Sequence, residues 1–293
     1  MFLASCPDLV VACCSEGVVG SFPALNCRDS EGYAGWLAEI AVRLEEVERP
    51  APYAVNLSLR RGSPRLDNDL AVTVAAKVPI VLTSLGISRD VVERVRDYGG
   101  LVMHDVTTRR HAEKAAEAGV DGLILVCAGA GGHGGALSPF AFLEETRSWF
   151  RGLIALAGGI TSGAQIAAAR MMGADLVSIG TRFLATREAA IPEAYKAMIL
   201  EAHASDIAYT DALTGVPASF LAPSLAAWGL PGSGGAIDAP SRTARFGELE
   251  GKVWRDLWSA GQGVGSIADL LPAGELCRRL AAEYRAAIQR MTP

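Results

Sequence analysis

Residues 101–128 read LVMHDVTTRRHAEKAAEAGVDGLILVCA. An aliphatic run, LVMHDV, leads into a threonine pair, then into a stretch with Ala112, Ala115 and Ala116 on one side. Glycine closes that stretch and a second aliphatic run, LILVCA, follows. Threonine caps a helix by accepting from an early N–H, and glycine ends one in a left-handed backbone. Both runs are apolar on both alternations, which suits parallel strands covered on two faces. The stretch predicts a strand–helix–strand unit and hence a parallel sheet.

The same unit recurs. Strand-like runs occur at VVGSF (18–22), YAVNLSL (53–59), PIVLTSL (79–85), LIALAG (153–158) and LVSIG (176–180). Helix-length segments with a 3.6-residue pattern lie between them, at 30–48, 66–76, 88–98 and 161–173. An open doubly wound sheet would accommodate this alternation too. Seven strands are visible, and an eighth can come only from what precedes Pro7, so the count favours a (β/α)8 TIM barrel, an α/β fold. From Met198 the rhythm stops. Gly/Pro/Ser loops such as LPGSGGAIDAP (230–240) separate helical stretches at 187–204, 245–260 and 275–290. Residues 1–197 are expected to form the barrel and residues 198–293 a C-terminal helical lid upon it.

Half of the 293 residues are apolar and a fifth charged, a globular balance. A net charge of −5 gives no electrostatic reason to expect nucleic acid or an anionic membrane as partner. The longest apolar runs are too short to span a bilayer, and no secretory signal opens the chain. A cytoplasmic protein acting on a small molecule is expected, with a homo-oligomer open. The six cysteines show neither C-x-x-C nor metal spacing and read as reduced structural thiols, with the adjacent Cys13 and Cys14 as an alternative redox pair.

In a barrel, phosphate groups bind after the last two strands. LIALAGGITSG (153–163) is a strand, a Gly-Gly turn and a helix start at Thr161; LVSIGTRFLAT (176–186) is a strand, then Gly180-Thr181, then another helix start. Unpaired N–H groups at two such starts would cradle a phosphate, and glycine lets it approach the backbone. Gly158, Gly159 and Gly180 either serve that purpose or only make tight turns. Arg182 is either a phosphate partner or a helix-face charge.

VCAGAGGHGGAL (126–137) sets His133 among five glycines directly after a strand, on the same face. The imidazole could cap the next helix or satisfy a buried carbonyl. It could equally be a general base, since an ordinary pKa near 6.5 suits proton removal from a weak carbon acid. The flanking glycines remove bulk, so that a planar ligand could lie beside it.

The succession AGAGGHGG, ALAGGITSG and GADLVSIGTRFLAT resembles the nitronate monooxygenase, or 2-nitropropane dioxygenase-like, family. VVGSFPALN (18–26), YAVNLSL (53–59) and DIAYTDALTGVPASFL (206–221) fit it as well. The resemblance implies an FMN-bound TIM barrel with a helical lid. It implies oxidation of alkyl nitronates or nitroalkanes to a carbonyl compound and nitrite, using O2. It also leaves room for an NAD(P)H-dependent FMN reductase of quinones or enoyl thioesters. The family's phosphate cradle falls on Gly158, Gly159, Gly180 and Thr181, its flavin-contacting asparagine on Asn56, and its catalytic histidine on His133, with Gly131 and Gly132 beside the flavin.

Two departures stand out. Family members carry residues ahead of an A-P-M motif at the end of the first strand, whereas this chain opens at that methionine as MFLASCPDLV. The first strand is therefore expected to be truncated and the flavin held weakly. Asp105 stands where several relatives carry lysine, and its neighbour His104 either lines the pocket or is a core histidine.

Overall fold

The computed structural model describes residues 1–60, 62–213, 215–230 and 253–291. A first helix, α1 (Pro7–Ser15), precedes a regular succession of strands and helices: β1 (Ser21–Pro23), α2 (Ser30–Glu45), β2 (Ala54–Ser58), α3 (Leu66–Ala75), β3 (Ile80–Ser84), α4 (Arg89–Arg96), β4 (Leu101–Val106), α5 (Arg109–Glu117) and β5 (Gly122–Val126). A two-residue strand, β6 (Gly132–His133), interrupts before α6 (Pro139–Arg147), β7 (Leu153–Ala157), α7 (Gly163–Met171), β8 (Leu176–Ser178) and the single turn α8 (Thr181–Leu184). The tail holds α9 (Glu193–Glu201), β9 (Ile207–Thr210), β10 (Ala218–Leu221), α10 (Ala222–Ala227), α11 (Val253–Asp256) and α12 (Ala273–Met291).

All seven strands expected from the sequence are present and form one parallel sheet in the order β1-β2-β3-β4-β5-β7-β8. Among the described residues no strand precedes α1 and no pairing joins β8 to β1. Strand alternation sorts the side chains. Val81, Val102, Leu123, Leu125, Ile154 and Leu156 point to the helices and share the main core with Tyr33, Ile40 and Phe142. Met103, Ile124, Ala155 and Ala157 point the other way and form a smaller interior cluster with Leu82 and Val126. The result is a TIM-barrel-like α/β fold.

Helix starts obey local chemistry. Asp29, Ser88 and Thr108 each accept from an N–H three residues on. At α7 the cap is Ser162, one residue later than expected, in a reciprocal capping box with Gln165.

The tail departs from a purely helical lid. β9 and β10 pair antiparallel, and β10 reaches β6, with Ala218 opposite His133 and Ser219 opposite Gly132. This hairpin was not read from the sequence, because its strands are only four residues each and the strand that β10 pairs with on its other side lies some eighty residues away in the chain. The stretch 231–240 and the first part of the helix expected at 245–260 fall outside the described residues. The long α12 lies against α1 and α7. Its Cys277 touches Cys13, and all six cysteines are free thiols. No helix among the described residues is long and apolar enough to cross a membrane.

Gly163 is where α12 meets α7. A Cβ there would fall onto the backbone of Leu280 and Tyr284, and its N–H donates to Glu283 Oε2 at 2.8 Å. Neither backbone can step aside cheaply. Gly163→Ala is expected to cost about 1–3 kcal/mol, read as a lower melting temperature, with an unchanged melt meaning that α12 docks elsewhere.

Candidate active site

The glycine loop after β5 does not stand alone. Gly132 N–H donates to Ser259 Oγ at 2.6 Å, and Gln262 N–H donates to Gly129 O at 2.9 Å. A Cβ on Gly131 would meet Ala260 C and Gly261 N at 2.9 Å. The bareness of Gly131 therefore admits the backbone of the tail segment 258–266, in place of the ligand space expected there. Ser259 is the hub of this contact. Its Oγ donates to Ser219 O at 2.6 Å, its N–H donates to Tyr195 Oη at 2.9 Å, and its carbonyl accepts from the same hydroxyl. Tyr195 in turn stacks on Trp258, with ring centroids 5.0 Å apart and planes 7° from parallel.

The backbone at His133 is thereby held from two directions, by β10 and, through Gly132, by Ser259. Tyr209 Oη also donates to Gly134 O at 2.9 Å. The imidazole is half-buried, and burial lowers its pKa below the ordinary value. At neutral pH the ring is uncharged and able to accept a proton.

The expected phosphate cradle is only partly free. At the start of α7, Thr161 N–H and Ser162 N–H donate to Gln165 Oε1 at 2.7 and 3.1 Å, and Gly163 N–H goes to Glu283. Those donors are spent within the protein, contrary to the expectation of unpaired groups, because the capping box and α12 reach them first. Gly158, at φ +127°, makes room for the approach of Ala128 O, 2.7 Å from where its Cβ would lie. Gly159 is different. At φ +70°, a Cβ there would meet nothing within 4 Å. At Gly180 it would meet only the Met1 side chain, at 3.8 Å. Thr181 Oγ1 accepts from Gly261 N–H at 2.8 Å, tying the cradle to the same tail segment. Arg182 is buried and committed to Asp269 on the tail, donating also to Ala185 O and Asp269 O. It is a latch, not a phosphate partner.

Asn56 points into the interior, and its Nδ2 lies 3.3 Å from Ser84 Oγ on β3. His104 does not point there. It alternates with Met103 and shares the helix-facing side of β4 with Val102 and Val106. Its Nδ1 pairs with Thr83 Oγ1 at 2.7 Å, and burial pushes its pKa down to about 4. His104 is thus a satisfied core histidine, which corrects its expected place in the pocket. The pleat gives that place to Asp105. Burial pushes the Asp105 carboxyl up to about 7, with the N-terminal amino group pulling the other way.

Sequence reasoning missed Ser259, Tyr195 and Trp258. The available signal was Gly261, Gly263 and Gly265 alternating through 258–266, a spacing that disfavours a continuing α-helix; the chain there makes a short 3-10 turn, Gln262–Ser266, instead.

The nitronate monooxygenase family profile matches residues 37–283. A nitronate monooxygenase of Paraburkholderia phytofirmans is 31% identical over 239 residues, covering 76% of this chain and 65% of that protein. The chain thus spans a little less than two thirds of the length of that relative. Nitroalkane oxidase from Streptomyces ansochromogenes superposes with a TM-score of 0.81 at 25% identity, over 99% of this chain and 94% of that one. FabK from Thermotoga maritima superposes with a TM-score of 0.85 at 24% identity, over 99% of this chain and 92% of that one, which speaks to the fold.

Asp105 has a consequence for stability. An acid whose folded pKa exceeds its unfolded value of 3.8 costs stability once the unfolded chain ionises and the folded one does not. The cost grows as pH rises toward about 7 and is level above it. Asp105→Asn should therefore melt higher than the parent, by a margin that widens from pH 5 to pH 7 and then stays constant. Melting curves across that range check the sign.

Proposed function

The chain belongs to the nitronate monooxygenase family, and on that premise we propose that it oxidises alkyl nitronates, or the nitroalkanes that yield them, to a carbonyl compound and nitrite with FMN and O2. The observation that carries the reading is His133, uncharged at neutral pH and pinned by β10 and Ser259 at the carboxyl end of the sheet. Residues 1–197 are taken as the FMN-holding unit and residues 198–293 as its cover, the latter supplying the segment that fixes His133.

The chain's own residues fit FMN where a phosphate and a ring edge need them. The open positions at Gly159 and Gly180, with Thr181, would hold the phosphate by backbone and hydroxyl groups. Asn56, supported by Ser84, would meet the ring from the interior. When bound, FMN supplies the electron-accepting chemistry that no side chain provides. His133 takes the α-proton of a neutral nitroalkane onto its imidazole ring, leaving the nitronate and an imidazolium. A preformed nitronate has no such proton to give.

That difference tests the assignment. His133→Asn is expected to slow oxidation of a neutral nitroalkane by about 10²–10⁴-fold and to slow oxidation of the preformed nitronate far less. Equal losses on both substrates would remove His133 from the role of base. Anaerobic bleaching of the flavin by NADH, with none by a nitronate, would favour the reductase reading instead.

A further inference from the structure

Ser259, which bridges Gly132 to Ser219, is itself held at the backbone by one remote side chain. The Tyr195 hydroxyl accepts from Ser259 N–H at 2.9 Å and donates to Ser259 O. A neutral hydroxyl can do both at once, and burial pushes the Tyr195 phenol above its ordinary pKa, so that it stays protonated. The ring stands on α9, in a hydrophobic cluster with Leu184, Ile199, Leu221 and Val264. Other groups hold the preceding residue. Leu221 N–H donates to Trp258 O, and Trp258 N–H donates to Ser224 Oγ, both at 2.8 Å. Those two bonds set the run of the chain, and the pair from Tyr195 sets how Ser259 faces Gly132. Both contacts of Ser259 Oγ, to Gly132 N and to Ser219 O, are 2.6 Å long, so a small turn of its backbone breaks one of them.

Proton removal from carbon requires the base within hydrogen-bond reach of the proton it takes. A shift of about 1 Å, caused far from the chemistry, costs on the order of 10²-fold in rate. His133 sits in a two-residue strand among glycines, which cannot hold that tolerance by themselves. We propose that Tyr195 is a positioning residue for the proton-removal step: from α9, through Ser259 and Gly132, its hydroxyl holds the backbone that presents His133. The proposal rests on the nitroalkane reading above and adds to it a residue that acts only through others. Its effect is confined to one of the two substrates. A neutral nitroalkane must give its α-proton to a correctly placed His133, whereas a preformed nitronate has already lost it.

Tyr195→Phe keeps the ring that stacks on Trp258 and removes only the hydroxyl. In the FMN-loaded protein, kcat/KM for a neutral nitroalkane is expected to fall about tenfold to hundredfold, while that for the preformed nitronate stays at the parent value. Ser259→Ala should give a loss of the same kind. The double variant should lose no more than the larger single loss, because both changes break one chain of contacts. Amide hydrogen exchange at residues 131–135 should quicken in Tyr195→Phe. Equal losses on both substrates overturn the proposal, since Tyr195 then supports the cover in general. Losses that multiply in the double variant overturn it as well, and so does unchanged exchange at 131–135. A parent that oxidises neither substrate, with exchange still quickened in Tyr195→Phe, keeps the hold of Tyr195 on the loop and loses the nitronate reading.

Discussion

Gly132 N–H reaches Ser259 Oγ across 127 positions of chain, and the candidate site depends on that contact. A two-residue strand in a run of five glycines has little of its own to order it, since glycine gives up more backbone freedom on folding than any other residue. Here the ordering comes from outside the loop. Ser259 is held at both backbone groups by the Tyr195 hydroxyl, and its side chain bridges Gly132 to Ser219 on β10. The same segment donates Gly261 N–H to Thr181 and Gln262 N–H to Gly129. One stretch of tail thus fastens both the histidine loop and the edge of the proposed phosphate cradle.

The interior is tuned toward neutrality by a single cause. Burial lowers the pKa of His133 and raises that of Asp105, and in each case the uncharged form gains. At neutral pH this leaves a base that can accept a proton and an acid on the verge of ionising. Arg182 brings no cation to the proposed phosphate cradle. Gly159 and Gly180 offer open backbone, while Arg182 is spent on joining α8 to Asp269. The work of Arg182 is therefore structural, binding the tail to the end of the sheet, and that tail is what secures Ser259.

The seven strands and the helices between them were legible because each is written in local periodicity and local caps. Thr108 and Ser88 cap where their types and spacing say they should. The hairpin of β9 and β10 was not legible, because its reason for existing is a partner strand far off in the chain. The roles of the glycines were half legible. That the loop needed bare positions could be seen, but whether each faced a ligand or another backbone could not. Gly131 meets Ala260 and Gly261, whereas Gly159 meets nothing. His104 and Asp105 make the same point on a smaller scale. Adjacent polar residues in a strand must face opposite sides, yet both sides of this strand are covered, so only the closed fold says which side is the interior.

By itself, then, the sequence determined the parallel α/β alternation, the seven strands, the glycine-rich segments at the ends of the sheet and the family to which they belong. Each follows from residue type and short-range spacing, which the chain carries wherever it goes. The tertiary structure alone decided that Asp105 and not His104 looks inward, that Arg182 is a latch, that the α7 N–H groups are already satisfied, and that Ser259 fixes the loop bearing His133. Each of these is a matter of which distant backbone or side chain arrives within hydrogen-bonding reach, and that is settled only when the whole chain has packed.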